Sequence, residues 1–178
     1  MIRLFFCRAI LHSASPNQLP HPLMTSIFNT DMESPTLTCA RQVGRAAGLP
    51  YAGDITPKQA WQLFSQDHAQ LVDVRSEEER QFVGFVPGSI HVPWATGRPL
   101  TRNPNFLHEL ETSVDKDQPV LLLCRSGKRS ALAAEAATLA GFQHAFNVIE
   151  GFEGDLNDQA HRGHLNGWRF HALPWQQD

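Results

Sequence analysis

The chain has 178 residues, 42% of them hydrophobic, with 11 Phe and 4 Trp, enough for one ordinary domain with a real core and some length left over. Its formal net charge of −3 gives no global reason to expect a nucleic-acid partner, and no apolar stretch approaches the length of a membrane span. The 3 cysteines, Cys7, Cys39 and Cys124, form neither a disulfide framework nor a zinc-ligand pattern, which suits a reducing, cytoplasmic setting.

Residues 1–50 lack a sustained period of either kind and read as a poorly structured N-terminal extension. Met1 to Ile10 is apolar with Arg3 and Arg8, as in a targeting peptide, but Arg8 breaks the apolar run and no clean small-residue cleavage site follows. Pro16, Pro20 and Pro22 punctuate a polar segment, Met24 and Met32 are alternative starts, and a short helix is expected within Thr38 to Ala47. The domain is drawn over residues 51–165, with a C-terminal segment, 166–178, whose tryptophans Trp168 and Trp175 should dock on it.

Thr56 as cap and Pro57 at the first helical position announce a helix with Ala60, Trp61 and Phe64 on its apolar stripe. Gln70 to Val74 reads as a strand, and Ser76 with Glu79 three places on is a capping box opening a short helix through Phe82. Pro87-Gly88 is a turn, Ser89 to Val92 a strand, and Asn103-Pro104 opens a helix that buries Phe106, Leu107 and Leu110. Val120 to Leu123 is an apolar strand and the alanine-rich run after residue 130 a helix that stops at Gly141. Ala145 to Ile149 is a further strand, and Gly151 to Leu156 starts a helix or an irregular turn. Strands alternating with helices at short spacing imply an α/β fold whose mostly parallel sheet is covered on both faces.

The chemistry concentrates in Cys124-Arg125-Ser126-Gly127-Lys128-Arg129-Ser130, between the central strand and the alanine-rich helix. Taken singly, a cysteine ending an apolar strand is a small buried hydrophobe, and three cations are a solvated face. Together they differ: a thiol sits at the carboxyl edge of the sheet, where α/β proteins build sites, beside a helix end that favours anions. Gly127 supplies a flexible loop centre, and Ser130 is expected to cap the helix. His161 and His164 are read as surface residues, His91 as a satisfied histidine within its strand, and no glycine-rich nucleotide loop is present.

Three blocks in this order resemble the rhodanese family of sulfurtransferases: Leu71 to Arg75 with Glu79 and Phe82, Val86 to Pro93, and the loop Cys124 to Ser130. The run from Gly141-Phe142 through Val148 to Phe152 is similar to the family's ending, so the resemblance spans about residues 54 to 160. Two departures stand out: Phe85-Val86 replaces a usual His-Ile, and Glu153 lies near the second glycine of a usual Gly-Gly pair. The resemblance implies a rhodanese-like three-layer fold and transfer of a sulfane sulfur from thiosulfate or a similar donor. The acceptor would be cyanide, a small thiol or a protein thiol, and the carrier a persulfide on Cys124; no metal and no cofactor are implied. In that scheme Arg125 and Arg129 bind the donor anion, Lys128 attracts it, and Ser126, Gly127 and Ser130 offer N–H and hydroxyl donors. Asp73 would brace the loop, Arg75 would pair with Glu79, and Trp94 would wall the pocket.

Two rivals share parts of this pattern. A cysteine phosphatase or arsenate reductase uses Cys-x5-Arg, but here Ser130 holds the sixth position after Cys124 and Arg129 falls one short. A rhodanese-like binding or regulatory module without turnover has the same fold, and such modules often lack the cysteine that this chain keeps.

Overall fold

A computed structural model describes residues 34–177. In chain order these form α1 (Pro35–Ala46), β1 (Gly53–Ile55), α2 (Pro57–Ser65), β2 (Gln70–Asp73), α3 (Glu77–Val83) and β3 (Ile90–His91). A small hairpin, β4 (Ala95–Thr96) and β5 (Thr101–Arg102), leads to α4 (Phe106–Ser113), β6 (Val120–Leu123), α5 (Lys128–Leu139) and β7 (Ala145–Val148). β1, β7, β6, β2 and β3 lie side by side in that order in one wholly parallel sheet. Every residue of β6 and β7 is buried, as befits central strands covered on both faces.

The two faces carry separate cores. On one, Val72, Leu122 and Ala145 pack against Phe106 and Leu110 of α4 and Ala133, Ala134 and Ala137 of α5. On the other, Leu71, Leu121, Phe146 and Val148 meet Leu37 of α1, Ala60 and Leu63 of α2, and Trp168. The alanines matter because small side chains let α5 approach the sheet closely, which brings its first turn over the end of β6. The expected capping box forms at Ser76–Glu79, and the expected Thr56 cap is completed into a second box by Gln59; in each, both side chains meet the other residue's backbone N–H.

Two expectations change. Helix α1 lies inside the segment read as poorly structured; its Leu37 is buried in the second core, so this part of the extension belongs to the folded unit. The leader-like stretch, the prolines and the alternative starts lie outside the described residues. Ser130 does not cap α5: Gly127, at φ +85°, holds the cap position and Ser130 points inward from the first turn. Of the two alternatives for residues 151–156 the irregular turn is the one that forms, because Gly151 and Gly154 both adopt left-handed φ.

Trp168 is fully buried, its backbone N–H donating to the Gly151 carbonyl at 2.8 Å and its indole N–H to that of Pro174 at 2.9 Å. Further on, Phe85 and Gln176 exchange two backbone hydrogen bonds of 2.8 and 2.9 Å.

Candidate active site

β6 delivers Cys124 to the carboxyl edge of the sheet, where the residue is 1% exposed. The segment after β7 clamps the loop from behind. The Cys124 carbonyl accepts from Phe152 N–H at 2.8 Å, and the Arg125 carbonyl accepts from Glu153 and Gly154 N–H at 2.9 and 3.2 Å. An α-helix leaves the N–H groups of its first turn without intrahelical partners, and Ser130 brings the first turn of α5 to within 3.2 Å of the sulfur. The close approach of the clamp needs Gly151: a Cβ there would lie 2.5 Å from Cys124 O, Arg125 C and Ser126 N.

Glu150, at φ +65°, precedes Gly151, at φ +66°. Glu150 and Gly151 thus form a left-handed pair directly behind the cysteine loop. A non-glycine residue is strained there. Its carboxylate is held by Gly167 N–H at 2.9 Å and His171 Nε2 at 2.8 Å, both in the C-terminal segment.

Around the sulfur, the Ser130 hydroxyl lies 3.2 Å from Cys124 Sγ, 3.1 Å from the Gly127 carbonyl and 2.7 Å from Asn147 Oδ1. Asn147, on β7, had no signal in the sequence: an Asn in an apolar strand becomes informative only once the sheet places it beside Ser130. The three cations of the loop differ in their surroundings. Lys128 is exposed at the start of α5. Arg129 makes a two-pronged ion pair with Glu79 at 2.6 and 2.7 Å, so its charge is already matched. Burial by itself would raise the Glu79 carboxyl, but the hydrogen bonds and charge of Arg129 outweigh it and hold that group below the usual carboxylate range. Arg125 is half-buried, and its Nε has no hydrogen-bond partner among the described residues.

The expected Arg75–Glu79 pair is not formed. Arg75 is fully buried and takes a fully buried partner: its Nε and Nη2 donate to Asp73 at 3.0 and 2.7 Å, and Nη2 also reaches the Gly84 carbonyl at 2.8 Å. The guanidinium stacks 3.9 Å from the Phe152 ring centre, and Arg80 adds a second cation 3.0 Å from Asp73. Burial pushes the Asp73 carboxyl up, yet Arg75, with Arg80 behind it, overrides that and holds it below its ordinary value. Asp73 thus organises Arg75, and Phe152 through it, rather than touching the loop. His91 sits 2.9 Å from the Arg75 carbonyl.

Trp94 belongs to the core: it meets Phe106 edge-to-face at 4.9 Å and carries the Arg102 guanidinium on its ring. The groove beside Arg125, about 380 Å³, is instead lined by Ser76, Glu78 and Glu79 and by Gly97, Arg98 and Leu100 of the β4–β5 turn. Sequence reasoning missed that turn, since its strands are two residues each and carry no periodic pattern. Among the described residues no group of three or more His, Cys, Asp or Glu side chains is arranged to hold a metal ion, and no helix is long and apolar enough to cross a membrane.

A parallel sheet with helices on both faces, with a cysteine loop running into an alanine-rich helix, defines the class, and the rhodanese-like domain family matches residues 56–158. The chain belongs to that family. It is similar to Rv0390 from M. tuberculosis, whose crystal structure superposes with a TM-score of 0.66 at 50% identity over 72% of this chain and 99% of that one. An uncharacterized protein of Rickettsia conorii is 36% identical over 119 residues, 64% of this chain and 88% of its own length. The thiosulfate sulfurtransferase GlpE of Actinobacillus succinogenes is 31% identical over 101 residues, 57% of this chain and 81% of its own.

Proposed function

We propose that the chain is a sulfurtransferase that moves a sulfane sulfur from thiosulfate, or a similar donor, to a thiophilic acceptor through a persulfide on Cys124. The observation that carries this reading is the placement of the Cys124 sulfur at the mouth of a helix, within 3.2 Å of a buried hydroxyl and next to Arg125. The Cys124 thiolate attacks the outer sulfur of thiosulfate; a new S–S bond forms, the donor's own S–S bond breaks, and sulfite departs with the electron pair. An acceptor (cyanide, a small thiol or a protein thiol) then attacks that outer sulfur and returns the thiolate.

Each residue has a part in this scheme. The scheme assigns support of the anionic sulfur to the N–H groups of Ser126, Gly127 and the first turn of α5, with the Ser130 hydroxyl as a further donor. Arg125 binds the donor's sulfonate, and Lys128 draws the anion in from solvent. Arg129 and Glu79, paired with each other, fix α3 against α5, while Asp73 and Arg75 hold Phe152, whose N–H anchors the Cys124 carbonyl. The buried Cys124 and exposed Cys39 are both free thiols, in keeping with a cytoplasmic setting.

Intact mass after incubation with thiosulfate tests the proposal. The expected result is a gain of one sulfur atom that cyanide removes and that Cys124→Ser abolishes. A gain only with another sulfane-sulfur donor would keep the chemistry and replace the donor; no gain with any donor would leave a binding module.

A further inference from the structure

A chain of polar side chains crosses the otherwise apolar layer between the sheet and α5, and the scheme above uses only its last member. Asp54 on β1 and Asn147 on β7 are in register. Side chains in register on neighbouring parallel strands project to the same face. Here that is the face bearing α5, from which Ser130 points inward. Asn147 is 4% exposed, and a buried amide is costly unless its hydrogen bonds are made. They are made on both sides: Nδ2 donates to Asp54 Oδ1 at 2.9 Å, and Oδ1 accepts from the Ser130 hydroxyl at 2.7 Å. The Tyr51 hydroxyl donates to the same Asp54 oxygen at 3.1 Å. Burial, followed by the Asp54 charge, pushes Tyr51 up to about 12, so it remains a donor.

This arrangement leaves little choice of orientation. A carboxylate only accepts, so Asp54 obliges the Asn147 amide to turn its NH₂ outward and its carbonyl to Ser130. The Ser130 hydroxyl has one hydrogen and three acceptors around it, and the Asn147 carbonyl is the nearest, at 2.7 Å against 3.1 Å for Gly127 O and 3.2 Å for Cys124 Sγ. We propose that Asp54, acting through Asn147, is a positioning group that draws the Ser130 hydrogen away from Cys124 and so restrains the resting sulfur. The Ser130 oxygen then faces Sγ with a lone pair, which suits a thiol S–H. An anionic sulfur gains the hydroxyl's support only when that hydrogen leaves Asn147.

The inference rests on the sulfurtransferase reading only in taking Cys124 as the reacting group. Other charged groups face this network: Glu135 of α5 acts on Tyr51, and Arg129, paired with Glu79, acts toward Cys124. None of them is altered in the variants below.

The test is the rate of Cys124 alkylation by iodoacetamide against pH in the full chain, read by peptide mass spectrometry so that Cys7 and Cys39 are scored apart. Asn147→Leu and Asp54→Ala should each lower the pH of half-maximal rate by about 1 to 2 pH units, the worth of one hydrogen bond to an anion. In a Ser130→Ala background neither substitution should move it. Asp54 is only partly buried, so its variant keeps the test alive if Asn147→Leu unfolds, as thermal unfolding would report. An unchanged midpoint in a folded variant overturns the inference, and so does an equal shift without the Ser130 hydroxyl. Alkylation needs no sulfur donor. A shifted midpoint in a protein that never loads sulfur would support the relay and sink the sulfurtransferase reading, and loading with an unmoved midpoint would do the reverse.

Discussion

The ends of β2 and β6 lie side by side, Asp73 in register with Leu123, and they treat charge in opposite ways. At the end of β2, the Asp73 carboxylate is matched by Arg75 and Arg80 in a largely buried cluster, although Arg75 Nη1 has no hydrogen-bond partner among the described residues. At the end of β6, one residue beyond, Cys124 meets a single side-chain hydroxyl, and Arg125 keeps a nitrogen without a partner among the described residues. A buried carboxylate matched by its own cations holds shape. In the proposed scheme the end of β6 is the reactive one, because Arg125 borders a groove whereas Arg75 is fully buried and serves as support.

Three experiments sharpen or break that contrast. The largest effect belongs to Asp73→Ala, which strands the fully buried Arg75 guanidinium without its counter-charge. Urea unfolding should show a loss of about 3–5 kcal/mol, the cost of breaking a buried pair from one side. A loss under about 1 kcal/mol would mean that the cluster is no support at all. Next comes a comparison of Arg125→Ala with Arg129→Ala in steady-state turnover. Removing Arg125 should raise the KM for thiosulfate about tenfold, the worth of one charge-assisted hydrogen bond. Removing Arg129 should act mainly on stability, by leaving Glu79 half-buried and unpaired. Equal KM effects would erase the distinction between a matched and an available cation.

The smallest effect is an acid limb of stability. Asp73 and Glu79 are both held below their ordinary values in the folded chain. In the unfolded chain carboxyls titrate near about 4. As the pH falls, the unfolded chain therefore takes up protons first. The stabilisation is complete above about pH 5 and is lost progressively below about pH 4. Thermal unfolding of Glu79→Gln should show a shallower acid limb than the parent chain, and an unchanged limb would exclude the Glu79–Arg129 pair as a contributor.

The parts legible in the sequence were those whose physics is local. The Ser76–Glu79 capping box, the apolar run of β6 and the alanines of α5 all act within a few residues, and the strand-loop-helix around Cys124 followed from them. The parts that were not legible depend on register and burial. Glu79 and Arg129 are 50 residues apart and meet only because α3 and α5 flank the same sheet edge. Arg75 chose Asp73 because both are fully buried, which no spacing reveals. Strand β1 has three residues, too few for a pattern, and Asp54 gains its meaning only from a partner 93 residues away.

The family match ends at residue 158, ten residues before Trp168. That indole fills the second core, edge-on to Trp61, while its backbone is tied to the Gly151 that lets the cysteine loop pack. A polypeptide ended where the match ends would retain every residue around Cys124 and lack one wall of its own interior. Chemical identity and mechanical completeness thus have different boundaries in this chain, and the stretch around Trp168 belongs to the second.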